Sequence, residues 1–136
     1  MKEEIRLPAV INNMDVLLGF VIDRAHSVGI SEQKIKQLEL AVEEVLVNIF
    51  KYAYPDKVGD IELRCYMRDQ NTFTVEVLDS GVYFDPLSSD TPKIDTELEE
   101  RPVGGLGIFF VKQMMDEVKY RRLNDRNCLT MSVNLP

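Results

Sequence analysis

Residues 38–54 read LELAVEEVLVNIFKYAY. At about 100° per residue, Ile35, Leu38, Val42, Val45 and Ile49 fall on one apolar stripe, which suits a helix buried on one side. Glu32, Lys36, Glu39 and Glu43 fall on a second, solvated stripe. Gln37, Glu44, Asn48 and Lys51 make a third group within about 60° of arc, pointing into a partly enclosed polar place. Two adjacent acids are thereby separated: Glu43 belongs to the solvated stripe and Glu44 to the enclosed one, a turn before Asn48. A carboxylate there suits a general base, and the neutral oxygen of Asn48 suits a Mg²⁺ that keeps its waters and phosphate ligands. The plainer reading is an ordinary surface arrangement of Glu44 and Lys51 with Asn48 between them, and helix geometry alone leaves both readings open.

Outward from this stretch, Ser31 is the expected N-cap and Pro55 the stop, after a helix reaching Tyr54. Upstream, Ile5, Leu7 and Ala9 alternate with polar or turn residues, predicting a first strand over Glu3 to Val10 with Pro8 near an edge. Asn12 or Asn13 then caps a helix to about Val28, closed by Gly29. Downstream the period changes from 3.6 to about 2. Ile61, Leu63, Cys65 and Met67, then Phe73, Val75 and Val77, predict two strands joined as a hairpin across Asp69 to Asn71. A helix from Ile108 to Met115 follows, then strands over Glu117 to Leu123 and Cys128 to Leu135. Hairpins instead of strict strand and helix alternation predict an α+β fold: a two-layer α/β sandwich with a mixed, mostly antiparallel sheet and helices on one face.

A chain of 136 residues suits a single domain over residues 1–136. Sixteen Lys and Arg against 23 Asp and Glu give 16 − 23 = −7, a charge that disfavours nucleic acid and anionic membranes. With no apolar run of membrane-spanning length and acidic residues near the start, a cytoplasmic protein is expected. Cys65 and Cys128 lack zinc-site spacing and read as buried thiols, with a disulfide left open.

Two glycine turns carry further chemistry. Asp79-Ser80-Gly81 follows an apolar strand, so the carboxylate can accept from a ligand amine such as that of adenine, while Gly81 permits close backbone approach. Alone, this is also a common turn. Gly104-Gly105-Leu106-Gly107 precedes an apolar helix, where unblocked N–H groups suit phosphate. Between them, residues of about 86–103 form a long polar segment expected to fold over a bound nucleotide as a lid. Its Arg101 either meets the terminal phosphate or pairs with Glu99 or Glu100. His26 reads as a helix C-terminal surface residue, and the basic run Lys112, Lys119, Arg121, Arg122 and Arg126 as a solvated face.

With Glu44-x-x-x-Asn48, Asp79-x-Gly81 and Gly104-Gly105-Leu106-Gly107 in this order, the chain resembles the GHKL superfamily of gyrase, chaperone, histidine kinase and mismatch-repair ATPases. Its short form is similar to the anti-sigma-factor serine kinases. The resemblance implies the Bergerat-type sandwich, with ATP and Mg²⁺ held between the long helix, the sheet and the lid. It implies Glu44 as base, Asn48 as Mg²⁺ ligand, Asp79 with Gly81 at the adenine end, and Phe84 among the nucleotide-binding residues. Gly104, Gly105, Leu106 and Gly107 would lie at the phosphates, Arg101 on the lid, and Thr130 on a late strand near adenine. Lys51 stands where relatives have His or Asn, within the same ligand-binding set but in a position to neutralise Glu44. Tyr83 departs from the small residue or Pro frequent before Phe84-Asp85-Pro86. As partners the resemblance implies an anti-sigma-factor antagonist of the STAS type, a sigma factor and a kinase homodimer. Three activities remain in competition: a serine/threonine protein kinase, an ATP-dependent binding module without transfer, and a stand-alone ATPase.

Overall fold

The computed structural model describes residues 2–88 and 105–135. Among the described residues, five strands and three α-helices follow one another: β1 Glu3–Pro8, α1 Met14–Ser27, α2 Glu32–Tyr52, β2 Asp60–Asp69, β3 Thr72–Asp79, α3 Gly105–Met114, β4 Glu117–Leu123 and β5 Arg126–Asn134.

Helix ends are set by local hydrogen bonding. Asn13 precedes α1, but its side-chain amide donates to the Pro8 carbonyl (2.8 Å) and fastens the turn after β1 instead of capping. At the other end Gly29, with φ +85°, donates to the His26 carbonyl (3.1 Å), and Ile30 donates to Ala25 (3.3 Å). This paired closure needs a left-handed residue and so favours glycine. Ser31 accepts from the Lys34 amide at 3.3 Å, as an N-cap should. The long helix ends at Tyr52, two residues short of the expected Tyr54. Tyr54 has turned away to donate to the Asp60 carbonyl (2.6 Å) and to accept from the Ser80 amide (2.8 Å). It thereby ties the helix end to both β2 and the turn after β3.

Strand order is β1-β2-β3-β5-β4, and every neighbouring pair is antiparallel. The expected mixed sheet is therefore fully antiparallel among the described strands. The chain leaves β3, passes through α3 and returns in β4, which runs parallel to β3. The β4–β5 hairpin then places β5 between them, so no parallel pair forms. That hairpin closes on Asn124 and Asp125, both at positive φ (51° and 64°), the two-residue turn whose twist matches the strands.

The sheet has two unlike faces because strand side chains alternate. Ile61, Leu63 and Cys65, Phe73, Val75 and Val77, and Leu129, Met131 and Val133 pack against Leu17, Val21, Leu38, Val42, Leu46 and Val111 of the helices. The other face is polar. Glu62 is bonded by Arg64 (2.6 Å) and Arg126 (3.3 Å), Glu76 lies 3.5 Å from Arg121 and 4.0 Å from Lys2, and Thr74 meets Ser132 at 3.1 Å. The two cysteines lie on opposite faces, so no disulfide joins them, and both are buried and free. Burial pushes the Cys65 thiol up to about 12.

Candidate functional site

The C-terminal half of α2 and the ends of β3 and β5 diverge to leave a cleft of about 450 Å³ including its open mouth. Its walls are Val45, Asn48, Ile49, Tyr52 and Ala53 of α2 and its end, Val77 and Asp79 of β3, and Asn127 and Leu129 of β5. Tyr120 of β4, Ile108 of α3, and Val82, Phe84 and Pro86 of the loop after β3 complete it. Most of this lining is apolar, with a few convergent polar groups, which is the usual make-up of a small-molecule site.

Asp79 closes one end. It is buried, and its Oδ1 accepts from the Gly81 amide (2.9 Å) and from the Asn127 side-chain amide (2.9 Å). No described residue bonds to Oδ2, leaving it for the cleft. Burial pushes this carboxyl above the ordinary aspartate range, while the bonds from Asn127 and Gly81 and the charges of Arg122 and Arg126 pull the other way. Gly81 is glycine because of what it touches: a Cβ there would stand 2.3 Å from the Ala53 carbonyl oxygen. The adjacent Val82 amide donates to that same oxygen at 2.9 Å, so the turn is sewn to the end of α2.

Asn48 is the one polar side chain of α2 in its buried set, 8% exposed and on the cleft wall. No described residue hydrogen-bonds to its amide, which opens onto the cleft. A neutral oxygen so placed fits a hydrated Mg²⁺ carried in on phosphates. No group of three His, Cys, Asp or Glu that could hold a metal gathers among the described residues.

Glu43 is exposed and Glu44 half-buried, so the helix does separate the two acids, yet Glu44 is not on the cleft wall. Lys51 is exposed, lies off the wall and forms no ion pair with Glu44. The reason is angular. Taking Val45 as 0°, Lys51, Glu44 and Asn48 fall at about 240°, 260° and 300°, and Tyr52 at about 340°. The cleft stripe thus takes Asn48 from one edge of the expected polar arc, and Tyr52, which had not been singled out, replaces Lys51.

Phe84 lines the mouth and is 44% exposed. Helix α3 begins at Gly105, so Gly105, Leu106 and Gly107 form its first turn, not a loop before it, and the neighbouring Ile108 reaches the cleft. Gly104, Arg101 and the segment 89–103 of the expected lid lie outside the described residues. Thr130 is displaced from its expected place. It is paired with Glu76 and Lys119 and lies beside Cys128 (4.0 Å), on the sheet face opposite Asp79. Period-two alternation gives the cleft Asn127 and Leu129 instead. Of the basic run, Lys112, Lys119 and Arg121 are exposed as expected, whereas Arg126 pairs with Glu62 and Arg122 turns in to the Gly81 carbonyl at 2.9 Å. His26 meets Glu32 at 2.9 Å, at the junction of α1 and α2.

The model of the histidine kinase-like ATPase domain matches residues 7–133, nearly all of this architecture. The chain belongs to the histidine kinase-like ATPase family. Among its relatives, "Serine-protein kinase RsbW" of Bacillus cereus (strain AH820) is 27% identical over 122 residues, covering 87% of this chain and 76% of that protein. The protein of the same name in Bacillus thuringiensis (strain Al Hakam) is 25% identical over the same shares. A solved structure of the RsbU and RsbW domains of Rv1364c from Mycobacterium tuberculosis superposes on all of this chain with a TM-score of 0.71 at 15% identity. The chain spans 33% of that larger one, and the likeness is one of fold. No described helix is long and apolar enough to cross a membrane.

Proposed function

We propose that this domain binds Mg-ATP in the cleft and transfers the terminal phosphoryl group to a serine or threonine of a small protein antagonist, within a partner-switching circuit that controls a sigma factor. The observation that carries the reading is the pairing, across one apolar cleft, of a buried carboxylate (Asp79) and a buried amide (Asn48), where among the described residues neither Asp79 Oδ2 nor the Asn48 side chain has a hydrogen-bond partner. An acceptor-only carboxylate suits the exocyclic amine of adenine. The amide oxygen suits the metal, and the N-terminus of α3 at Gly105 suits the phosphates, since its unpaired N–H groups and dipole favour anions. Bound Mg²⁺ would neutralise charge on the phosphates.

In this reading Asp79 and Asn48 fix the two ends of the nucleotide, the apolar walls exclude water, and Glu44 is the base that takes the hydroxyl proton of the acceptor. Phe84 covers the mouth and Arg101 meets the terminal phosphate. The acceptor is an anti-sigma-factor antagonist of the STAS type, and the kinase acts as a homodimer that also holds the sigma factor. Relatives named as serine-protein kinases support the transfer activity.

Radiolabelled ATP, the full chain and candidate antagonists test it. Wild type labels an antagonist, and Glu44→Gln keeps ATP affinity but loses labelling by about 100-fold or more, the scale of a general base. Absence of labelling on every antagonist overturns transfer. A second reading, ATP-gated binding without transfer, is favoured by the position of Glu44 off the cleft wall. It predicts ATP-dependent capture of a partner that is unchanged in Glu44→Gln.

A further inference from the structure

Asn127 lines the cleft, but every hydrogen-bonding position of its amide is taken by protein. Its nitrogen donates to Asp79 Oδ1 (2.9 Å) and to the Val82 carbonyl (2.8 Å). Its oxygen accepts from the Tyr120 hydroxyl (2.5 Å), Arg122 Nη1 (3.1 Å) and the Phe84 amide (3.4 Å). An amide offers two donors and an oxygen with two lone pairs, so none of its capacity remains for a ligand. Whatever Asn127 does for the cleft, it does through its neighbours.

The arrangement has one orientation. Two acceptors face the nitrogen and three donors face the oxygen, so a reversed amide would set oxygen against the Asp79 carboxylate and the Val82 carbonyl. Tyr120 and Arg122 enforce the direction from β4. Arg122 Nη1 also donates to the Gly81 carbonyl (2.9 Å), which binds the same turn from its other side. We propose that Asn127 is a positioning residue for nucleotide recognition, locking the Asp79 carboxylate and the Val82 to Phe84 backbone into one unit, with Tyr120 and Arg122 setting which end of the amide faces Asp79. This rests on nucleotide binding in the cleft.

The consequence concerns which proton state of Asp79 meets the ligand. Arg122 from β4 and Arg126 from β5 are the cations that act on it, and Tyr120 and Tyr54 are the phenols nearby. The α2 wall brings no charged side chain into the cleft. A donated bond to the ionised carboxylate favours that form against burial. Removing it lets burial push Asp79 further up, so that nucleotide affinity is lost at a higher pH.

The experiment titrates the full chain with a fluorescent ATP analogue and Mg²⁺ between about pH 8 and about pH 3, spanning the ordinary aspartate value and the range above it. Asn127→Ala is expected to bind about tenfold more weakly at neutral pH, the scale of one charge-assisted bond, and the pH midpoint of binding is expected to move upward. Turnover at saturating nucleotide stays within about twofold, because no transition-state contact is removed. A folded Asn127→Ala protein with the wild-type affinity and midpoint overturns the proposal, even if its melting temperature falls. If that variant does not fold, Tyr120→Phe combined with Arg122→Gln frees the amide orientation without removing it. An upward midpoint there supports the proposal and an unchanged one overturns it. A wild type that binds no nucleotide overturns the proposed function as well, whereas a binding wild type with indifferent variants overturns this inference alone.

Discussion

Gly81 rests on the carbonyl of Ala53: the nearest oxygen would be 2.3 Å from a Cβ, well inside any contact a side chain tolerates. The turn that presents Asp79 is thus built against the end of the long helix. Gly81→Ala must push the turn and the helix end apart. We expect a loss of about 1–3 kcal/mol, the usual cost of overpacking, together with weaker nucleotide binding. Urea unfolding and ATP titration of one preparation check both, and an alanine variant of wild-type stability would contradict the close approach.

Tyr54 holds the same junction from the other side, through the Asp60 carbonyl and the Ser80 amide. Tyr54→Phe keeps the ring, packed over Gly59, and deletes both bonds. The expected cost is about 1–3 kcal/mol, since two backbone groups lose their partner. Hydrogen exchange at the Ser80 amide should quicken in the variant, and unchanged exchange would count against the bridge.

Asp79 is the case where stability and binding should move in opposite directions. Its folded pKa is raised by burial above the ordinary 3.8, so the folded state holds the proton more tightly than the unfolded chain. Its effect on stability is therefore most favourable below 3.8 and declines as pH rises through the folded value. Asp79→Asn removes that dependence. Relative to wild type, the variant should gain stability as pH rises from about 3 to neutrality, while losing nucleotide affinity by at least about tenfold for want of an acceptor. Thermal melts across pH, paired with nucleotide titration, read out the two signs separately.

Glu62 behaves in the opposite sense. Burial alone would push its carboxyl up, but the bonds and charges of Arg64 and Arg126 outweigh it and hold it below 4.5. The stability it contributes is present above 4.5 and is lost as pH falls through its lowered folded pKa. Glu62→Gln should cost about 1–3 kcal/mol at neutral pH, as hydrogen bonds to charged groups do, and little in strong acid. Urea midpoints at neutral and strongly acidic pH test this, and equal costs at both would refute it.

Much of the architecture was legible in local signals. The Ser31 cap, the Gly29 closure and the change to a period of about two from Ile61 onward each depend on a few neighbouring residues, and each stands where its chemistry puts it. Asp79, Asn48 and Phe84 line the cleft, and Gly81 lies in the turn beside it, its amide donating to Asp79. The misplacements are of another kind. Lys51 lost its place to Tyr52 over a difference of about 100° around one helix, and Thr130 lost its place to Asn127 because a displacement of three positions along a strand reverses the face. The sheet came out wholly antiparallel because β5 sits between β3 and β4, a pairing between segments distant in sequence.

What the sequence determined by itself is the set of periodicities, caps and glycines, and with them the family, because those are properties of a residue and its near neighbours. Tertiary structure alone decided which side chains meet. Asn127 touches Asp79 across 48 positions of chain, and Arg122 reaches Gly81 across 41. Such contacts depend on strand order and face, which burial of the whole apolar layer selects and no single segment encodes.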